Sequence, residues 1–268
     1  MINSPNLQNL VIISAATAPQ RAAASDAAEM VNELLLGEWA VLLERDSSGR
    51  WLKVRALHDG YEGWVSVAQA YVYQDDEAGF SGWKRSRRAG MLLEQANGNQ
   101  LRVPVGALLP AEENGRLCFP FGSYEIIRQG ADLPPDLLGA AKGFLGIPYL
   151  WGGRSDFGID CSGLVQQLGF LFGIPFPRDA SQQIKAYPVL SRNLKDALTG
   201  DLIYFSFDGT RIVHVGLYLG GGVLLHASGD VRMELIDPDK RKTSGFVFNE
   251  RLSGAVAGIQ RPGFTGST

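Results

Sequence analysis

Up to about residue 131 the apolar runs are short, alternate with polar positions and are separated by Gly-containing turns, a pattern that predicts strands. The longest run is Leu34-Leu35-Leu36-Gly37-Glu38-Trp39-Ala40-Val41-Leu42-Leu43, read as one strand, and the polar residues 45–49 turn it into a second strand at Trp51-Leu52-Lys53-Val54-Arg55. A third, Trp64-Val65-Ser66, follows Asp59-Gly60-Tyr61-Glu62-Gly63. Short strands with such turns predict a small β-barrel. Residues 101–105 and 122–127 repeat the pattern in a second β-rich segment. Beyond about residue 132 the period changes. Asp132-Leu133-Pro134-Pro135-Asp136 punctuates the start of a helix at 136–145. Leu164, Val165, Leu168, Leu171 and Phe172 recur at helical steps, and another helix begins near Ala180. Strand-like runs at 201–207, 212–219 and 223–227 come last, and helices followed by consecutive strands predict an α+β domain.

A chain of 268 residues holds one large domain or two to three small ones, and 45% hydrophobic with 20% charged residues is an ordinary globular balance. The formal net charge of -3 gives no global basic field for nucleic acid or an anionic membrane. The one basic cluster, Lys84-Arg85-Ser86-Arg87-Arg88, lacks interleaved aromatics and reads as a solvated strand edge or loop. No run of 18 apolar residues is present, which excludes a transmembrane helix. Met1-Ile2-Asn3-Ser4-Pro5 opens no basic-then-apolar leader, so a cytoplasmic protein is expected, or a periplasmic or exported one if a leader has been removed. Two cysteines make no disulfide framework, and Cys118, between Leu117 and Phe119, reads as a small buried side chain.

Cys161 is different. It falls where the Gly-rich approach, with glycines at 152, 153 and 158, turns into a helix. A thiol there faces unpaired backbone N–H groups and the positive end of the helix dipole, which favour the nucleophilic thiolate. Two of the three histidines, His214 and His226, flank the turn Gly220-Gly221-Gly222, which reads as a hairpin. With an odd-numbered turn both imidazoles project from one face of that hairpin. A thiol packed against them completes a nucleophile, a base and an orienting group. Without paired cysteine spacing these three residues are not read as a zinc site, and no cofactor is expected.

Several motifs carry a resemblance. Gly37-Glu38, Trp51-Leu52-Lys53-Val54 and Gly60-Tyr61-Glu62-Gly63-Trp64-Val65 resemble the bacterial SH3 domain. Pro148-Tyr149-Leu150-Trp151-Gly152-Gly153, Asp160-Cys161-Ser162-Gly163, Arg178-Asp179-Ala180-Ser181-Gln182, Gly200-Asp201-Leu202-Ile203, His214-Val215-Gly216-Leu217-Tyr218 and Leu225-His226-Ala227 occur in the order of the NlpC/P60 cysteine peptidases. The resemblance implies an α+β papain-like NlpC/P60 catalytic domain at 132–268, preceded by two small SH3-like β-barrels at 1–74 and 75–131. It is nearest to the SH3-bearing γ-D-glutamyl dipeptidyl peptidases of cell-wall peptides.

By that resemblance Cys161 is the nucleophile, His214 the base and then the acid, and His226 the orienter. Tyr149 and the Cys161 N–H are oxyanion partners. Asp160 and Ser162 flank the sulfur as substrate-binding residues. Asp179 takes the substrate's amine, unless it only caps the helix at Ala180. Tyr61 and Glu29 complete that wall, and Ala180 stands where the family often has Ser. The implied partners are murein-derived peptides such as L-Ala-γ-D-Glu-diaminopimelate, with diaminopimelate or lysine after the scissile bond. An endopeptidase or amidase of intact peptidoglycan, with SH3 domains as wall anchors, is the alternative.

Overall fold

The computed structural model describes residues 9–73, 82–243 and 245–264. The chain divides into two compact units, one of Met1–Asp132 with Trp151–Asp156, the other of Leu133–Leu150 with Phe157–Thr268. The expected boundary between 74 and 75, and the terminal Met1–Pro5 stretch, lie outside the described residues.

The first unit opens with strands β1 (Leu10–Ile13), β2 (Thr17–Arg21), β3 (Met30–Leu35), β4 (Trp39–Arg45), β5 (Trp51–Ala56), β6 (Glu62–Ser66) and β7 (Ala70–Tyr73). They form one antiparallel sheet in the order β3-β2-β6-β5-β4-β1-β7. Alternation explains its core: Leu52, Val54 and Ala56 of β5 point inward with Val11, Leu34, Ala40 and Val65, while Lys53 and Arg55 face outward. The run 34–43 is not one strand. Gly37 breaks it at φ 75°, and a Cβ there would sit 1.8 Å from the Leu108 carbonyl oxygen, so only glycine fits.

That turn also aims a carboxylate inward. Glu38 Oε2 accepts from the Leu35 N–H at 2.9 Å and from Arg154 Nη2 at 2.5 Å, and Oε1 accepts from Arg85 Nη1 at 2.7 Å. Arg154, from the segment Trp151–Asp156, has no exposed side-chain surface; its Nε donates to the Glu33 carbonyl at 2.9 Å and its backbone N–H to Glu33 Oε2 at 2.8 Å. Burial pushes the Glu38 carboxyl up, but Arg154, His58 and Arg85 outweigh it and hold it at about 2. Arg85 is therefore turned into the protein, which corrects the expectation of a wholly solvated basic cluster.

A second, five-stranded sheet in this unit runs in the order Gln100–Val103, Met91–Glu94, Gly122–Arg128, Arg116–Phe119, Glu112–Glu113. An edge-on aromatic chain, Tyr73–Trp39–Trp83–Phe119, with ring centroids 5.2–5.7 Å apart, joins it to the first sheet. Strand alternation buries Leu117 and Phe119 and turns Cys118 outward, so that cysteine is exposed and not a core side chain.

In the second unit, α1 (Leu137–Lys142) is capped by Asp136, whose carboxylate accepts from the Gly139 N–H at 2.8 Å. Helices α2 (Cys161–Leu171) and α3 (Ala180–Ala186) follow. An antiparallel sheet completes the unit in the order Asp230–Leu235, Val223–Ser228, His214–Gly220, Leu202–Phe205, Val256–Gln260. Helix α2 lies against the His214–Gly220 strand and is buried almost all round. Its glutamines consequently need internal partners, and Gln166 donates to the Phe176 carbonyl at 3.1 Å.

Candidate active site

The start of α2 is held by a polar clamp. Asp160 is the N-cap, and its Oδ1 accepts from the Gly163 N–H at 2.7 Å. The buried Arg178 grips both Asp160 oxygens, at 3.0 and 2.6 Å, and donates to Ser162 Oγ at 2.9 Å. This planar fork on a carboxylate fixes the first turn of the helix, and with it Cys161. The side chains of Asp160 and Ser162 are thus engaged within the fold. Just before the cap, Ile159 donates to the Pro148 carbonyl and accepts from the Leu150 N–H, which brings Tyr149 beside the same turn.

Around the sulfur the balance differs from the expectation of a thiolate at rest. Burial, then the Asp160 carboxylate, pushes the Cys161 thiol up to about 12, against the Val215 and Ser162 N–H groups and Arg178. Helix-start amides are present, but desolvation and an adjacent negative charge outweigh them. The resting group is a thiol that needs a base. Burial, with Cys161 and Asp160 nearby, likewise pushes Tyr149 up to about 12, so its hydroxyl stays a donor.

The base is prepared by its neighbours. Strand His214–Gly220 pairs with Val223–Ser228 through Leu217↔Leu225 and Tyr218↔Leu224, with a bulge before Gly220. One step further along, Gly216 faces His226, and a Cβ at 216 would lie 2.9 Å from the His226 Cβ. The gap lets the two imidazoles meet diagonally on one face, with His214 Nε2 2.8 Å from His226 Nδ1. His226 Nε2 lies 3.1 Å from Glu234 Oε2. Glu234 in turn accepts from Asn249 Nδ2, while Asn249 Oδ1 caps α4 (Glu250–Ser253) by accepting from the Leu252 N–H at 2.9 Å.

These bonds settle the tautomers by elimination. A carboxylate only accepts, so His226 Nε2 carries the proton toward Glu234 and His226 Nδ1 is an acceptor. His214 must then donate from Nε2, which leaves its Nδ1 lone pair to take a proton. Burial, then the neighbouring His226 imidazole and the charge of Arg251, lowers the His214 proton affinity to about 3. Burial also lowers that of His226, against Glu234. Both imidazoles are neutral at rest. The Val215 N–H on the sulfur puts Cys161 one residue along the strand from His214.

Cys161, His214, His226, Tyr149, Asp160 and Ser162 therefore gather in the second unit. Asp179, also there, is the N-cap residue of α3, yet its side chain makes no capping bond. Its charge bears on Arg178. Tyr61 and Glu29 belong to the first unit; Glu29 is exposed and accepts from Trp151 Nε1 at 2.8 Å. Glu234 and Asn249 were not anticipated from the sequence. The signal for Glu234 is the polar alternation of Arg232 and Glu234 in Asp230–Leu235, which puts both on the His226 face.

Comparison with known proteins agrees with this geometry. The NlpC/P60 family profile matches residues 146–249, and that of the bacterial dipeptidyl-peptidase SH3 domain matches residues 21–69. A γ-D-glutamyl-L-lysine dipeptidyl-peptidase of Bacillus subtilis (strain 168) is 32% identical over 61% of this chain and 66% of its own length. Its namesake from Bacillus cereus is 27% identical over 86% of this chain and 76% of its own length. Among solved structures, a Bacillus cereus NlpC/P60 family protein has a TM-score of 0.75 at 23% identity, covering 94% of this chain and 99% of that one. An NlpC/P60 endopeptidase from Photobacterium damselae subsp. piscicida reaches 0.72 at 17% identity, over 99% of this chain and 76% of that one. These two likenesses show the fold. The chain belongs to the NlpC/P60 family of cysteine peptidases, and a bacterial dipeptidyl-peptidase SH3 domain precedes its peptidase domain.

Proposed function

We propose that the protein hydrolyses the amide joining the γ-carboxyl of D-glutamate to a diamino acid, meso-diaminopimelate or L-lysine, in wall peptides with a free N-terminal L-alanine. The products are L-Ala-γ-D-Glu and the amine-bearing remainder, as in murein peptide recycling inside the cell. The observation that carries the chemistry is the Glu234–His226–His214 chain, which leaves one lone pair at His214 Nδ1 for the thiol proton. The names of the Bacillus relatives support the substrate class. In the first step His214 takes the thiol proton as sulfur attacks the carbonyl carbon. The tetrahedral oxyanion is held by the Cys161 N–H and the Tyr149 hydroxyl. The imidazolium then protonates the leaving nitrogen as the C–N bond breaks, giving a thioester. Water, deprotonated by His214, releases the acid and restores the thiol. Asp179 is the carboxylate for the substrate's ammonium group. The second β-sheet of the first unit is read as a further SH3-like module.

The test offers L-Ala-γ-D-Glu-diamino acid, its N-acetyl form and intact sacculi. Release of L-Ala-γ-D-Glu from the first alone is expected. Equal cleavage of the acetylated peptide overturns the free-amine requirement, and solubilisation of sacculi favours a wall endopeptidase or amidase.

The relay makes its own prediction. The base must be neutral, and its proton affinity is lowered, so the acid limb of kcat/KM falls below pH 6.5. Glu234→Gln replaces a carboxylate that can only accept with an amide that can also donate, so the His226 tautomer is no longer fixed; kcat is expected to fall about tenfold to a hundredfold with KM little changed. Glu234 ends the hydrogen-bonded chain that runs through His226 to His214, so loss of its negative charge disfavours the His214 imidazolium and moves the acid limb to still lower pH in the variant. A pH profile identical to the wild type removes Glu234 from the relay.

A further inference from the structure

A cavity of about 150 Å³ adjoins the imidazole pair, walled by Phe207, Val213, His214, His226 and Arg251 among others, and lined by neither Cys161 nor Tyr149. Its charged group is held but not neutralised. The Arg251 guanidinium carbon lies 3.8 Å from the centroid of the Phe207 ring, and among the described residues Arg251 makes no ion pair with a carboxylate. Phe207 and Val213 are both exposed, at 43% and 47%. The cavity thus offers an apolar wall, a catalytic imidazole and a cation.

The chemistry dictates what belongs there. The acid that protonates the leaving nitrogen is His214, so the residue supplying that nitrogen must lie against the His214 ring. In a tripeptide that residue bears a carboxylate on the carbon next to the nitrogen, and its side chain contributes a run of methylenes. We propose that this cavity is the subsite for the amine-side residue of the substrate, with Arg251 holding the α-carboxylate and Phe207 and Val213 flanking the methylenes. It rests on Cys161 and His214 acting as nucleophile and base.

Two consequences follow for specificity and for the base. A peptide extended beyond the diamino acid has an amide in place of that carboxylate, so Arg251 selects peptides that end there. The charge of Arg251 depresses the His214 proton affinity, so a carboxylate bound to it restores basicity at the residue that needs it. By reciprocity, protonation of His214 tightens the grip of the site on that carboxylate.

The experiment has two arms. In the first, kcat/KM is measured for L-Ala-γ-D-Glu-L-Lys and its C-terminal carboxamide with wild type, Arg251→Gln and Arg251→Lys. Wild type is expected to favour the free acid by about tenfold to a hundredfold. Arg251→Gln should lose that preference, and Arg251→Lys regain part of it. Equal rates on the two peptides in wild type, or an undiminished preference in Arg251→Gln, overturn the assignment. In the second arm, the histidine side-chain NMR signals of Cys161→Ala are followed as L-lysine or L-lysinamide is added. Lysine should shift the His214 signals and raise its titration midpoint; lysinamide should not, and adding Arg251→Gln should abolish the effect. A lysine response without any peptide hydrolysis by wild type sinks the activity but keeps the subsite. Hydrolysis with no lysine response at His214 sinks the subsite alone.

Discussion

Cys161→Ala is expected to lower hydrolysis of L-Ala-γ-D-Glu-diamino acid peptides by on the order of 10⁶-fold, the scale of losing the nucleophile of a catalytic triad. The fold should survive, because the change removes one sulfur from a helix start whose capping bonds are made by Asp160, Arg178 and Gly163. His214→Ala should be nearly as damaging, and the double variant little worse than either, since the two residues act on one proton. The buried thiol adds a separate signature. With its proton affinity pushed up to about 12, the sulfur is a poor nucleophile until His214 removes the proton. His214→Ala should therefore also slow alkylation of Cys161 by iodoacetamide at neutral pH, followed by peptide mass mapping so that exposed Cys118 is counted apart. Peptide turnover that persists in Cys161→Ala rules out this site.

The second large effect concerns stability. Arg154→Met should destabilise the first unit by about 3–5 kcal/mol, because it takes the principal cation from a fully buried glutamate. The pH dependence has a definite sign. The Glu38 carboxyl is held at about 2 in the folded chain against an ordinary 4.5, so it contributes stability above pH 4.5 that is lost as pH falls toward 2. In Arg154→Met the opposing effect of burial is left less compensated, so the gap between wild type and variant should narrow as pH falls through that window. Adding Glu38→Gln to Arg154→Met should recover part of the loss. Denaturant unfolding at pH 7 and pH 3 measures both; equal stabilities at pH 7 would show that the network contributes nothing.

What could be read from the sequence was whatever repeats locally. Alternation in Trp51–Ala56 and the helical period after Cys161 are properties of neighbouring residues, and the structure has both elements. That His214 and His226 share a face was expected only for an odd-numbered turn; the two residues between Gly220 and Val223 are even, and the bulge before Gly220 supplies the extra residue. What could not be read depends on competition between effects or on distant partners. The thiol at α2 was expected to ionise because dipole and amides favour the anion, but the sequence does not reveal how fully the sulfur is desolvated. Cys118 was misread from apolar neighbours when strand alternation was the stronger constraint. Leu34–Leu43 looked continuous because Gly37 is forced by the approach of Leu108, 71 residues away by number. Arg154 and Glu38 carry no local sign of each other.

The first unit is discontinuous in the chain, and this bears on the order in which it can be made. Synthesis that has reached Asp132 has delivered Glu33 and Glu38 but not the arginine that bonds to the one and neutralises the other. Until Trp151–Asp156 emerges, folding there must leave Glu38 solvated or bury it with Arg85 as its ion-pair partner and without Arg154. A nascent chain stalled between these points should stay loose where the finished protein is most tightly charged. Cutting the gene at residue 132 would reproduce that unfinished state rather than release a self-sufficient module.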